Sequence, residues 1–245
     1  MSTFKVVIAY DGTDFVGWQR QASGVSIQAL IEDALEPLEG RPVTVAGAGR
    51  TDAGVHALGQ VASFTLARDV DAATIARAVN ARLPHDVRIV AADAVAPSFH
   101  ARFDARSKTY RYRIWNADVV SPFERRYVWH LPGALDTEGM ASAARCLEGR
   151  HDFSAFQAAE SDAATAERTL QSSRITVVPP QVFYDVTGDG FLRHMVRTIA
   201  GSLVEVGRGR RAPEWMREVL QSRERASAGR TAPASGLFLM GVHYD

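Results

Sequence analysis

The chain holds 245 residues, 46% hydrophobic and 23% charged, the balance of a soluble globular protein able to bury one large core or two small ones. Its formal net charge is zero, and a single cysteine, Cys146, excludes an intrachain disulfide framework. No apolar run is long enough to span a bilayer, residues 1 to 10 lack the layout of a secretory signal, and no Cys/His metal spacing occurs, so a cytosolic protein is the default expectation.

In chain order, Phe4 to Tyr10 reads as an opening strand rich in β-branched residues. After the turn Asp11–Asp14 comes Phe15 to Gln21, where Trp18 either reaches toward nucleic acid beside Gln19, Arg20 and Gln21 or anchors the loop to the core. Ser26 has the chemistry of an N-cap, with Ile27, Leu30, Ile31, Ala34 and Leu35 at helical spacing and Pro37 predicting an end or bend near Glu36. Strands are expected over 42–46 and 60–66, then a helix capped by Asp71 with Ile75, Ala78, Val79 and Leu83 on one face, then a strand over 87–95. The order β-α-β-β-α-β is that of the split βαβ, ferredoxin-like fold with both helices on one side of an antiparallel sheet.

Residues 96–106 read as a crossing between halves, giving an N-terminal half over 1–105 and a C-terminal half over 106–245. Lys108 to Trp115 is a strand with Lys108, Tyr110, Tyr112 and Ile114 on one face and Thr109, Arg111, Arg113 and Trp115 on the other. That pattern suits a nucleotide surface backed by phosphate contacts, or equally an ordinary half-buried sheet. A third helix is expected over 137–147, with Cys146 on its buried side, followed by strands over 170–178 and 182–187. Residues 191–206 then predict a fourth helix whose buried face is Met195, Ile199, Leu203 and Val206, with Arg193 and Arg197 one turn apart on one flank. Pro213 at the first helical position and a closing strand over 237–244 complete a second half that echoes the first. The fold class is therefore α+β, two ferredoxin-like halves that would face a central cleft.

Charge is uneven along this chain. Residues 102–126 hold seven basic residues against three acidic ones, and a second cluster runs through Arg193, Arg197, Arg208, Arg210 and Arg211. Guanidinium forks suit phosphate and stack on bases. The excess of arginine over lysine carries no such weight, because GC-rich coding produces it equally well.

The stretch Gly47-Ala-Gly-Arg-Thr-Asp-Ala-Gly-Val-His56 lies between two strand-like runs. Its glycines allow close approach of a ligand, and into that frame the chain sets one cation, one hydroxyl and one carboxylate, Arg50, Thr51 and Asp52. A surface ion pair in a plain turn is the alternative. There is no P-loop, dinucleotide fingerprint, Gly-x-Ser-x-Gly elbow or metal cluster, and His56, His100, His151 and His194 are scattered, as structural or RNA-contacting residues would be. What remains is one loop carboxylate that nearby guanidiniums would keep ionised, able to act as nucleophile or base at a sugar carbon. No second carboxylate motif of the kind a glycosidase needs stands out.

Gly49 to His56, with Tyr10 to Gln21 before it, resembles the TruA family of tRNA pseudouridine synthases. So do Asn80–Pro84, Phe99–Phe103, Lys108–Tyr112, Phe191–Arg197, Gly201–Gly207 and Gly236–Met240, in the same order and across nearly the whole chain. The resemblance implies the pseudouridine synthase fold and isomerisation of uridine to pseudouridine at positions 38 to 40 of the tRNA anticodon stem-loop. It makes Asp52 the catalytic residue, Tyr110 the ring that stacks on the target base, and Arg197 the partner of the aspartate. It adds Arg50 in support, with Arg20 among the residues gripping phosphate. It implies no metal or organic cofactor, a homodimer whose two subunits both touch each tRNA, and no membrane. Action at other tRNA positions, a tRNA-binding module without chemistry, and an N-glycoside hydrolase are the rival readings. The Arg-rich turn 208–211 matches no motif of the family.

Overall fold

Strict alternation makes the first strand: β1 (Ser2–Tyr10) buries Phe4, Val6, Ile8 and Tyr10 on one face. The computed structural model that shows this describes residues 1–158 and 165–245. The chain forms two units, Met1–Arg106 with Leu239–Asp245, and Ser107–Phe238.

In the first unit α1 (Ile27–Glu39) follows β1, with Ser26 Oγ accepting from Ala29 N at 3.3 Å. Its stripe of Ile27, Ile31, Ala34 and Leu35 is buried, each larger side chain contributing about 1.5–3 kcal/mol. The helix runs through Pro37 to Glu39, three residues beyond the expected end. So close to the C-terminus the proline forfeits one ladder bond, and Gly40 N still donates to Glu36 O at 2.7 Å. Next come β2 (Ala46–Gly47), β3 (His56–Leu66), α2 (Ala72–Asn80) capped by Asp71, and β4 (Val87–Val95). The strand expected over 42–46 shrinks to its last residue and Gly47. The backbone groups of Val45 are taken instead by α1 side chains: Val45 N donates to Glu32 Oε1 (3.2 Å) and Gln28 Nε2 donates to Val45 O (3.0 Å). Neighbour order is β4-β1-β3 with β2 on the far side of β3, every pairing antiparallel. That is the ferredoxin-like order expected from β-α-β-β-α-β.

The second unit opens with β5 (Ser107–Trp115), followed by β6 (Trp129–His130), α3 (Thr137–Arg145), β7 (Gly149–Asp152), β8 (Glu167–Val178) and β9 (Gln181–Gly188). After these come α4 (Met195–Gly207), α5 (Trp215–Ser222) and β10 (Leu237–His243), of which Leu237 and Phe238 belong to this unit and the rest to the first. Strands β5-β9-β8-β7 pair antiparallel, and β6 lies parallel to β5. The succession β5-α3-β8-β9-α4 repeats β1-α1-β2-β3-α2, and β5-β9-β8 repeats β1-β3-β2, so the echo between the halves extends to strand order. The fold is α+β.

Two helix starts move in this unit, and α3 ends at Arg145 instead of residue 147, which leaves Cys146 half-buried in the capping position. α4 buries Met195, Ile199, Leu203 and Val206 as expected, but it starts at Met195, because His194 takes a left-handed backbone (φ 64) that interrupts any earlier turn. Arg193 therefore precedes the helix and does not share a flank with Arg197. Similarly, α5 begins at Trp215, with Glu214 in the capping position and Pro213 one residue further upstream.

Candidate active site

The loop between β2 and β3 is held from below by its own strand. Ala48 N donates to Val61 O (2.7 Å), and the buried Gln60 side chain donates from Nε2 to Gly49 O (2.9 Å). From the other side it is clamped by residues 10–18. Tyr10 and Thr51 join their hydroxyls at 2.8 Å, Trp18 N donates to Thr51 O (3.1 Å), Gly54 N donates to Phe15 O (3.4 Å), and Gly12 N donates to His56 Nδ1 (3.0 Å). Within the loop Val55 N closes a turn onto Asp52 O at 3.1 Å. Backbone contacts on both flanks thus fix Thr51 to His56, and Asp52 rides on that frame as a half-buried carboxylate beside an exposed Arg50.

Close approach explains two of the glycines in the clamp. A Cβ on Gly12 would lie 1.9 Å from Val55 O, and one on Gly17 (φ +104) would lie 2.6 Å from Thr51 O and 3.1 Å from the Asp52 carbonyl carbon. Any side chain there displaces the loop. Trp18 is an anchor and not an outstretched contact: its ring is 2% exposed and lies against Gly47. Burial pushes the Tyr10 hydroxyl up to about 12, against smaller opposing effects of hydrogen bonds with Thr51 and Gln60. It therefore stays protonated at neutral pH and keeps its bond to Thr51.

Arg20, just after the clamp, points its guanidinium onto α1: Nε donates to Glu32 Oε2 and Nη2 to Asp33 Oδ1, each at 2.7 Å. In the second unit Tyr110 stands on β5, 7% exposed, with Phe191 edge-on at 5.0 Å between centroids. Arg197 on α4 is partly buried; its Nε donates to Ala232 O (2.9 Å), while Ala232 N donates back to Arg197 O (3.1 Å). Tyr112 is fully buried, donates from its hydroxyl to Pro233 O (2.8 Å), and has its acidity weakened by burial, with the nearby positive charges of Arg197 and Arg230 opposing. The opposite face of β5 carries arginines already engaged: Arg111 forks onto Asp185 at 2.7 and 3.0 Å and lies 4.7 Å from the Phe183 ring, and Arg113 Nη2 meets Glu124 Oε2 at 2.6 Å.

The clamp residues Tyr10 and Gln60 carry no site role in the sequence reading, and Thr51 appears there only as the hydroxyl of the loop. A signal for Tyr10 was present, since it falls in phase with Phe4, Val6 and Ile8 and therefore inside. The partners of Thr51 and Gln60 lie 41 and 11 residues away, and no local spacing reveals them. Among the described residues no cluster of three or more His, Cys, Asp or Glu is placed to hold a metal ion, and no helix is long and apolar enough to cross a membrane.

An α+β chain with repeated halves and a rigidly framed carboxylate loop has close relatives. A family model described as tRNA pseudouridine synthase matches residues 6–104 and 143–245. Proteins named tRNA pseudouridine synthase A are similar over the whole chain: one from Pelobacter propionicus (strain DSM 2379 / NBRC 103807 / OttBd1) is 47% identical, covering 100% of both chains, and one from Myxococcus xanthus is 48% identical, covering 100% of this chain and 92% of its own. A chain in a crystal structure of a Cbf5-Nop10-Gar1 complex aligns with a TM-score of 0.38 at 11% identity, over 82% of this chain and 45% of that one, too distant to define more. The chain belongs to the tRNA pseudouridine synthase family, a family of isomerases.

Proposed function

We propose that this protein converts uridine to pseudouridine at positions 38 to 40 of the tRNA anticodon stem-loop, with Asp52 as the catalytic carboxylate of the motif Gly49 to His56. The observation that carries the assignment of Asp52 is its frame: hydrogen bonds that join Tyr10, Trp18, Phe15, Gly12 and Gln60 to the loop, with Gly54 N donating to Phe15 O, converge on the few residues around one loop carboxylate. Pre-organisation of that kind is what a reacting group needs, because misplacement by about 1 Å costs on the order of 100-fold in rate.

The C1′–N1 bond of a stacked uridine is out of reach, so the base is extruded at a cost of about a few kcal/mol. Stacking on Tyr110 returns roughly 1–3 kcal/mol of it. Asp52 then acts at the ribose, attacking C1′ or removing a sugar proton. N1–C1′ breaks, uracil turns while held, C5–C1′ forms, and the C5 proton leaves as N1 gains one. Arg197 is the cation assigned to that carboxylate, and Arg50 supports the same loop. Arg20 grips phosphate by exchanging its carboxylate partners, with salt-sensitive binding as the signature. The first half (1–105) supplies the catalytic loop and the second (106–245) RNA-contacting and dimer surfaces, in a cytoplasmic homodimer whose subunits share each tRNA.

The test is tritium release from C5-labelled uridine in tRNA, with pseudouridine mapped along the product. Asp52→Ala is expected to abolish release while tRNA binding survives. Full residual activity in that variant would overturn the role of Asp52, and pseudouridine found only elsewhere in the tRNA would overturn the position.

A further inference from the structure

Phe103 closes the block Phe99–Phe103, which the chemistry at Asp52 does not use, and it is 75% exposed. The turn presenting it is built rather than loose. His100 N donates to Asp104 Oδ2 (2.9 Å), Asp104 N donates to His100 O (3.1 Å), and His100 Nδ1 accepts from Arg102 N (3.1 Å) and Phe103 N (3.4 Å). The His100 ring stacks on Phe103 with centroids 4.3 Å apart and 29° between planes, and the Arg102 guanidinium carbon stands 5.9 Å from the same ring.

Beneath this turn, Ala101 is fully buried; its N donates to Ser63 Oγ (3.0 Å) and its O accepts from the Tyr244 hydroxyl (2.8 Å). Ala101 packs in one apolar cluster with Val61 and Ala48, and Ala48 opens the loop that carries Asp52. The aromatic turn and the catalytic loop therefore stand on a common floor, four residues or fewer from it in each case.

We propose that Phe103, backed by His100 and flanked by Arg102, is a stacking platform for an unpaired nucleotide of the tRNA neighbouring the one that reacts at Asp52, which rests on the function proposed above. Unpaired bases pack on aromatic faces and guanidinium planes, whatever their sequence. Charge favours the same occupant: the cation against the ring is Arg102, whose guanidinium suits both a base face and the phosphate of the same nucleotide. Because the turn is already ordered, little conformational entropy is lost on binding.

The experiment compares Phe103→Ala, Phe103→Leu and Phe103→Trp in tRNA binding and in steady-state tritium release. Alanine and leucine should weaken binding and raise KM by about 5- to 150-fold, with kcat at saturating tRNA within about twofold of wild type, and tryptophan should restore affinity. Wild-type affinity in Phe103→Ala overturns the platform. So does full affinity in Phe103→Leu, which would make the contact merely apolar, and so does a changed oligomeric state with unchanged tRNA affinity, which would give the ring to a second copy of the chain. Failure of the wild-type protein to release tritium would instead overturn the role of Asp52, leaving the binding comparison to decide the platform alone.

Discussion

Replacing Gly17 by alanine separates the positioning of the loop that carries Asp52 from general stability. Gly17 has φ +104, where an L side chain costs roughly 1–3 kcal/mol of backbone strain. Its new Cβ would also stand 2.6 Å from Thr51 O and 3.1 Å from both the Asp52 carbonyl carbon and Ala53 N, all of them backbone atoms without a rotamer to yield. Reaching ordinary contact demands a displacement of ~0.8 Å in the loop, and a misplacement of that order costs about 100-fold in rate. Gly40 supplies the control, because its φ is +81 and a Cβ there meets nothing within 4 Å. Gly40→Ala should carry the φ strain alone and leave turnover near wild type. Thermal melts and tritium release on both variants make the comparison: both are destabilised, Gly17→Ala the more because of its added clash, with kcat down by about 100-fold in Gly17→Ala alone. Wild-type turnover in Gly17→Ala, or an equal loss in Gly40→Ala, would refute the claim that the 10–18 segment sets the position of Asp52.

Tyr10→Phe deletes one buried hydroxyl pair and should cost about 1 kcal/mol in urea unfolding, with a smaller rate loss than Gly17→Ala, since the backbone contacts to Thr51 and Gly54 and the bond to the His56 ring remain. Tyr110→Phe should retain near-normal KM, whereas Tyr110→Leu, chosen over alanine because the ring is 7% exposed and a cavity would confound the result, should raise KM and lower kcat; identical behaviour would exclude stacking. Alkaline stability follows from Tyr10: its folded value of about 12 lies above the ordinary 10.0, so its contribution is complete below pH 10 and lost as pH rises toward 12, on the order of 3 kcal/mol. Burial raises Tyr112, Tyr184 and Tyr244 in the same direction. Urea midpoints should hold flat to about pH 10 and fall beyond it, and a midpoint still rising there would refute the assignment. Arg20→Gln should change stability by no more than about 1 kcal/mol, because its pairs with Glu32 and Asp33 are exposed.

Local pattern was sufficient wherever one physical signal dominates. Richness in β-branched residues placed β1, and alternating faces placed β5; caps at Ser26 and Asp71 with apolar 3.6-residue stripes placed α1 and α2; and the order of elements led to the β4-β1-β3 arrangement that the pairings display. The loop Gly47–His56 was legible as a candidate site because its residue types serve no purpose in a plain connection. The stretch around Val45 was misread as a strand, although Val43 and Val45 are both buried, because the competitors for its backbone are side chains of Gln28 and Glu32 on the preceding helix. Likewise the helix start at Met195 depends on the left-handed turn of His194, a conformation that no propensity assigns to histidine.

From its order of residues alone, this chain determined its α+β class, the phase of its long strands and helices, and the loop that carries the candidate carboxylate, since each depends on near neighbours along the backbone. Tertiary structure alone decided that Trp18 turns inward against Gly47, that Tyr10 holds Thr51, and that Arg111 and Arg113 spend their charge on Asp185 and Glu124. Those partners stand 11 to 74 residues apart, and which of several chemically equal candidates meets a given group is settled by strand register and packing, which local spacing does not encode.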